Sequence, residues 1–66
     1  MKELNKLKKI RKEKNLTIKK ISEKIGITES YYWKLENGKR KMYYDLAIKI
    51  SGVFNKKPDD LFFKDF

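Results

Sequence analysis

Three residues, Gly26, Ile27 and Thr28, separate two stretches of helical hydrophobic periodicity, and this constrains the fold more tightly than any other feature of the chain. Upstream, Thr17 reads as a helix N-cap, and Ile18, Ile21 and Ile25 recur at helical spacing after it. Downstream, Thr28 reads as a second N-cap, followed by Tyr32 and Leu35 four and seven residues on. A connection this short, with glycine first, is the signature of two helices turned sharply against each other.

The rest of the chain follows the same period. Leu4, Leu7 and Ile10 mark one face of a first helix over about residues 3–14, with Asn15 as a left-handed stop. Asn37-Gly38 ends the third helix. A fourth runs from about Tyr43 to Phe54, with Leu46, Ala47, Ile50, Val53 and Phe54 as its apolar stripe. Gly52 sits inside it and should weaken it by about 1 kcal/mol relative to alanine. Pro58 opens a short fifth helix, with Asp59 and Asp60 suited to its dipole and Leu61 and Phe62 docking it. There is no strand pattern. The expectation is one all-α domain over residues 1–66, a compact five-helix unit with a helix-turn-helix at helices two and three.

Composition narrows the function. The chain has no cysteine and no histidine, so it lacks thiolate ligands and nucleophiles, the commonest metal ligand and the commonest general base. Asp59 and Asp60 are adjacent and diverge on a helix. No enzyme and no cofactor is expected. No apolar run approaches a membrane span, so a cytoplasmic protein is the default reading, with no membrane partner. The 18 Lys+Arg against 9 Asp+Glu give a net charge of +9. That charge is uneven: +7 over residues 1–20, −1 over 21–38, +3 over 39–41 and 0 over 42–66. Two basic blocks around a near-neutral middle suit a polyanion; a merely solubilising lysine surface is the alternative.

Three stretches, "IRKEKNLTIKKISEKIGIT", "KLENGKR" and "LAIKISGVFNKKPDDLF", resemble the Cro/phage-repressor (XRE-like) type of helix-turn-helix DNA-binding domain, and the resemblance covers Leu7 to Phe62. It implies a lambda-repressor-like fold and a transcriptional regulator, bacterial or phage-encoded, that works at the nucleoid. It also implies an ion pair between Arg11 and Glu36, tying helix one to helix three, with spare Arg11 donors free for a phosphate; two solvated charges are the alternative. Ser22 stands where the family has alanine. Ile18 stands where the family has a phosphate-gripping glutamine, so that contact is either lost or passed to Lys19 or to a backbone N–H. Met42 replaces a frequent proline.

With Tyr32 and Leu35 facing inward, Ser30, Trp33, Lys34 and Asn37 point most directly away from the core. The N-terminal half of such a helix meets base edges in the major groove. Thr28, Glu29, Ser30 and Lys34 are therefore the expected base-contacting residues, although Glu29 equally suits the helix dipole. Tyr31 and Trp33 are expected to flank them; Trp33 could instead meet a protein partner or cover helix three against helix four. Thr17, Ile18, Lys19, Asn37, Lys39, Arg40 and Lys41 are expected along the DNA backbone, with Lys8, Arg11 and Lys12 approaching from helix one.

Regulators of this type bind inverted repeats as homodimers, which implies a repressor dimer on double-stranded DNA. Val53, Phe54, Phe63 and Phe66 are the expected dimer surface, unless the two terminal phenylalanines fold back on their own domain. Two other readings remain: a DNA-binding antitoxin with a protein partner, and a basic adaptor or RNA-binding module that stacks bases on Tyr31 and Trp33.

Overall fold

The computed structural model describes residues 5–62. Five helices follow in order: α1 (Asn5–Glu13), α2 (Ile18–Ile25), α3 (Glu29–Glu36), α4 (Tyr44–Val53) and α5 (Pro58–Phe62). Among the described residues there is no strand. The all-α expectation holds, and the end of α1 and both ends of α4 fall within a residue of their expected positions. Leu4, placed on the inner face of the first helix, lies outside the described residues.

Local chemistry starts and stops these helices. The Thr17 hydroxyl accepts from the Lys20 N–H at 3.1 Å and the Thr28 hydroxyl from the Tyr31 N–H at 3.1 Å, so both expected caps form. α5 opens on proline, and Asp60 Oδ2 accepts from the Lys57 N–H at 3.3 Å. The first four helices share one kind of ending. Asn15 (φ 57°), Gly26 (φ 81°), Gly38 (φ 74°) and Asn55 (φ 58°) each turn left-handed just past a helix. After each, the next N–H reaches back to a carbonyl inside the helix: Leu16 to Arg11, Ile27 to Ser22, Lys39 to Lys34 and Lys56 to Ser51, at 2.8–3.0 Å. This is the Schellman ending, which satisfies carbonyls that would otherwise be orphaned. Three of the four stops are expected from sequence; the fourth, Asn55, is not.

Every helix contributes to one core. Leu7, Ile21, Tyr32, Leu35, Ala47, Ile50, Leu61 and Phe62 are buried, and Met42 and Phe54 join them from the connections. α1 packs on α3 and α5, α2 on α3 and α4, and α4 on α5, within 25 × 24 × 20 Å. Two small polar residues sit in this core with their hydroxyls satisfied: Ser22 donates to the Lys19 carbonyl at 2.9 Å and Ser51 to the Ala47 carbonyl at 2.7 Å. Among the described residues no buried side-chain polar atom lacks a partner.

One expectation needs correcting here. Phe54, assigned to a dimer surface, is only 5% exposed and belongs to the domain's own core. Val53 packs partly buried against the same core. Their positions on α4 and its C-cap place them in and against the core, beside Leu16 and Lys24. Phe63 and Phe66 lie outside the described residues.

Candidate nucleic-acid interface

α3 is held by a buried polar strut. Arg11 Nε donates to Glu36 Oε2 at 2.8 Å and Nη2 to Oε1 at 2.9 Å, a bidentate pair spanning α1 and α3. Arg11 Nη1 donates to the Leu16 carbonyl at 2.9 Å, which also fixes the turn into α2. Glu36 accepts a third bond, from the Tyr32 hydroxyl at 2.8 Å. The Arg11 and Glu36 side chains are 10% and 1% exposed. The Glu36 hydrogen bond raises the Arg11 pKa above its ordinary value, and burial followed by the Glu36 charge raises that of the Tyr32 phenol.

Arg11 uses three of its five N–H donors inside the domain, one from each nitrogen, and the residue is 8% exposed. The Tyr32 bond was not expected, although the spacing of four between Tyr32 and Glu36 places them on one helical face.

With Tyr32, Leu35 and Glu36 turned inward, α3 presents the opposite side to solvent. Thr28, Glu29, Ser30 and Trp33 are exposed, and Tyr31 and Lys34 are half-buried. Tyr31 packs partly against the core. Trp33 is 47% exposed, and α3 makes no close approach to α4, so Trp33 does not cover that junction. The expected base-contacting residues thus share one helix and its cap. At the start of α2, Thr17 and Lys19 are exposed, while Ile18 packs its side chain toward the core. What Ile18 offers outward is a first-turn N–H, free of any intrahelical partner.

The basic run after α3 follows from the helix ending. The Lys39 and Arg40 N–H groups both reach the Lys34 carbonyl, at 2.8 and 3.3 Å, so the chain folds back over the end of α3. Lys39, Arg40 and Lys41 are all exposed there, as is Lys12 on α1. Asn37 is more committed than expected. Its Nδ2 donates to the Trp33 carbonyl at 2.9 Å, and its Oδ1 accepts from Lys8 Nζ at 3.2 Å. The Lys8 ammonium therefore sits by the negative end of the α3 dipole. Sequence reasoning also passed over Tyr43. It is 60% exposed beside the basic run, with Lys41 Nζ 5.5 Å from its ring centroid. Its place directly after a +3 run was the available signal.

The chain belongs to the Cro/phage-repressor type of helix-turn-helix proteins: a family model described as "Helix-turn-helix" matches residues 7–61. The five-helix fold, with its short turn between α2 and α3, is that of a helix-turn-helix domain. Among curated proteins, the "Uncharacterized HTH-type transcriptional regulator YqaE" of Bacillus subtilis (strain 168) is 40% identical over 55 residues, which is 83% of this chain and 47% of that protein. The chain therefore spans about half the length of this relative. No solved structure matches. No helix among the described residues is long and apolar enough to cross a membrane.

Proposed function

We propose that this protein is a sequence-specific repressor that binds an inverted-repeat operator as a homodimer, with α3 in the major groove. The observation that carries this reading is the division of α3 into a pinned inner face and an outer face of Thr28, Glu29, Ser30, Trp33 and Lys34. Pinning matters because base readout needs side chains held in register, and the Arg11–Glu36–Tyr32 strut supports α3 from behind. Lys34 donates to guanine O6 or N7, Glu29 accepts from cytosine N4, and Ser30 does either. Lys39, Arg40 and Lys41 take phosphates beyond the helix, Tyr31 and Trp33 line the groove wall, and α2 lends Thr17, Lys19 and the Ile18 N–H. These backbone contacts set register and affinity, not sequence.

Selection from a random duplex pool at roughly physiological salt tests this reading, because nonspecific attraction is weakened there. The expected result is enrichment of an inverted repeat. Lys34→Ala should then relax preference at one position in each half-site by about 1–3 kcal/mol. Recovery of no sequence would mean that charge alone drives binding and would refute the proposal.

A further inference from the structure

α4 carries an apolar row on its outer side that no part of the described chain uses as core. Tyr44 is 56% and Ile48 is 48% exposed. Gly52 completes the row with the same spacing of four, is exposed, and has open space where a Cβ would stand. Asp45 and Lys49, both exposed, run beside the row along one flank. The DNA-facing residues lie on α3 and in the segment that precedes α4, so the proposed DNA contacts do not need this row.

We infer that this row is the seam through which two copies of the chain pair, α4 against α4, around a two-fold axis at Ile48. The inference rests on the homodimer reading above and names its surface. Residues 44 and 52 lie equal distances from 48, about 6 Å along the helix on either side. A two-fold axis at Ile48 that runs the helices antiparallel therefore sets each Tyr44 opposite Gly52 of the second copy. Rows of this i±4 kind pack together at a crossing angle of about −50°. The largest side chain of the row then meets the position with no side chain. The charges agree with the same arrangement. Asp45 and Lys49 lie on the same flank, and the axis carries Asp45 of one copy to within a lysine's reach of Lys49 of the other. One helix-on-helix contact falls well short of the ~1,200 Å² typical of stable interfaces. Two chains of +9 charge also repel. The seam is accordingly weak in free protein and is strengthened by salt or by DNA holding two copies side by side.

Because the chain has no cysteine, single-cysteine variants of the full chain report the seam directly. Under mild oxidation, Ile48→Cys should form disulfide dimers at least tenfold faster than Lys14→Cys, a solvent-exposed control beyond the end of α1. A mixture of Tyr44→Cys and Gly52→Cys should yield the mixed dimer in excess over either self-dimer. In the Ile48→Cys background, Asp45→Lys or Lys49→Asp alone should slow cross-linking severalfold, and the two together should restore it. Sedimentation of the cysteine-free chain in rising salt runs alongside. Dimers in sedimentation with no preference for cross-linking at Ile48 would overturn the seam and leave the homodimer reading standing. A chain that stays monomeric in sedimentation and loads the selected repeat without cooperativity would sink the homodimer reading and the seam with it.

Discussion

Glu36 shows how much one side chain can decide in a domain of this size. It is 1% exposed, carries a charge, and takes bonds from Arg11 and Tyr32. Removing one member of a buried pair leaves the other charge uncompensated, at a cost of about 3–5 kcal/mol. Glu36→Ala should therefore unfold much of the population, since small domains hold only ~5 kcal/mol in reserve. Urea denaturation would measure it, and a midpoint within error of the parent would show that the pair carries no stability. Tyr32 adds a pH dependence of definite sign. Burial and the Glu36 charge make the folded state hold the phenolic proton more tightly than the unfolded chain, where it leaves near 10.0. That contribution is complete below pH 10.0 and is lost as the pH rises above it. Tyr32→Phe should cost about 1 kcal/mol near neutral pH. It should also flatten the alkaline fall in stability relative to the parent. At this scale the sequence was legible in part. The inward position of Tyr32 followed from helical period, and the Arg11–Glu36 pair from family resemblance. The closed triad did not follow, because hydrogen-bond partners depend on how three helices meet.

At the scale of the element, two glycines make opposite demands. Gly26 holds a φ of 81° between α2 and α3, a region that side chains resist. Gly26→Ala should destabilise by about 1 kcal/mol or more even though a Cβ there meets nothing within 4 Å. Gly52 lies inside α4 with helical angles and open space beside it. Gly52→Ala should stabilise the isolated domain by about 0.5–1 kcal/mol. Thermal melts of the two variants should move in opposite directions, and a shared direction would contradict the backbone account. Helix limits were readable because the caps and stops are local: Thr17, Thr28, Asn15, Gly26 and Gly38 act within a few residues. The outer side of α4 was less readable. Helical period places Ile50 in the inward stripe and leaves Ile48 out of it, as observed, but does not say what an outward isoleucine is for.

Across the whole molecule, charge and packing divide the work. The core is built by all five helices, while the excess positive charge gathers in residues 1–20 and 39–41. Part of it also works inside the domain, because Arg11 is turned inward to Glu36 and Lys8 donates to Asn37. Each lysine or arginine that does meet a phosphate contributes about 0.9 to the slope of log affinity against log salt. Lys39→Ala and Arg40→Ala should each flatten that slope by about 1 and weaken all sequences alike. Glu13→Gln, at the end of α1, should leave it nearly unchanged. Titration at several salt concentrations would separate them, and equal slopes throughout would remove the 39–41 segment from the interface.

Trp33 also makes the protein its own reporter. It is the sole tryptophan, it is 47% exposed, and it stands on the outer face of α3. Its emission therefore comes from a single place, the surface proposed to meet DNA. Docking in the groove would strip water from the indole and bring bases near it, altering both the colour and the intensity of the light. Adding duplex to unlabelled protein would then reveal the event optically, with no dye to disturb an α3 only eight residues long.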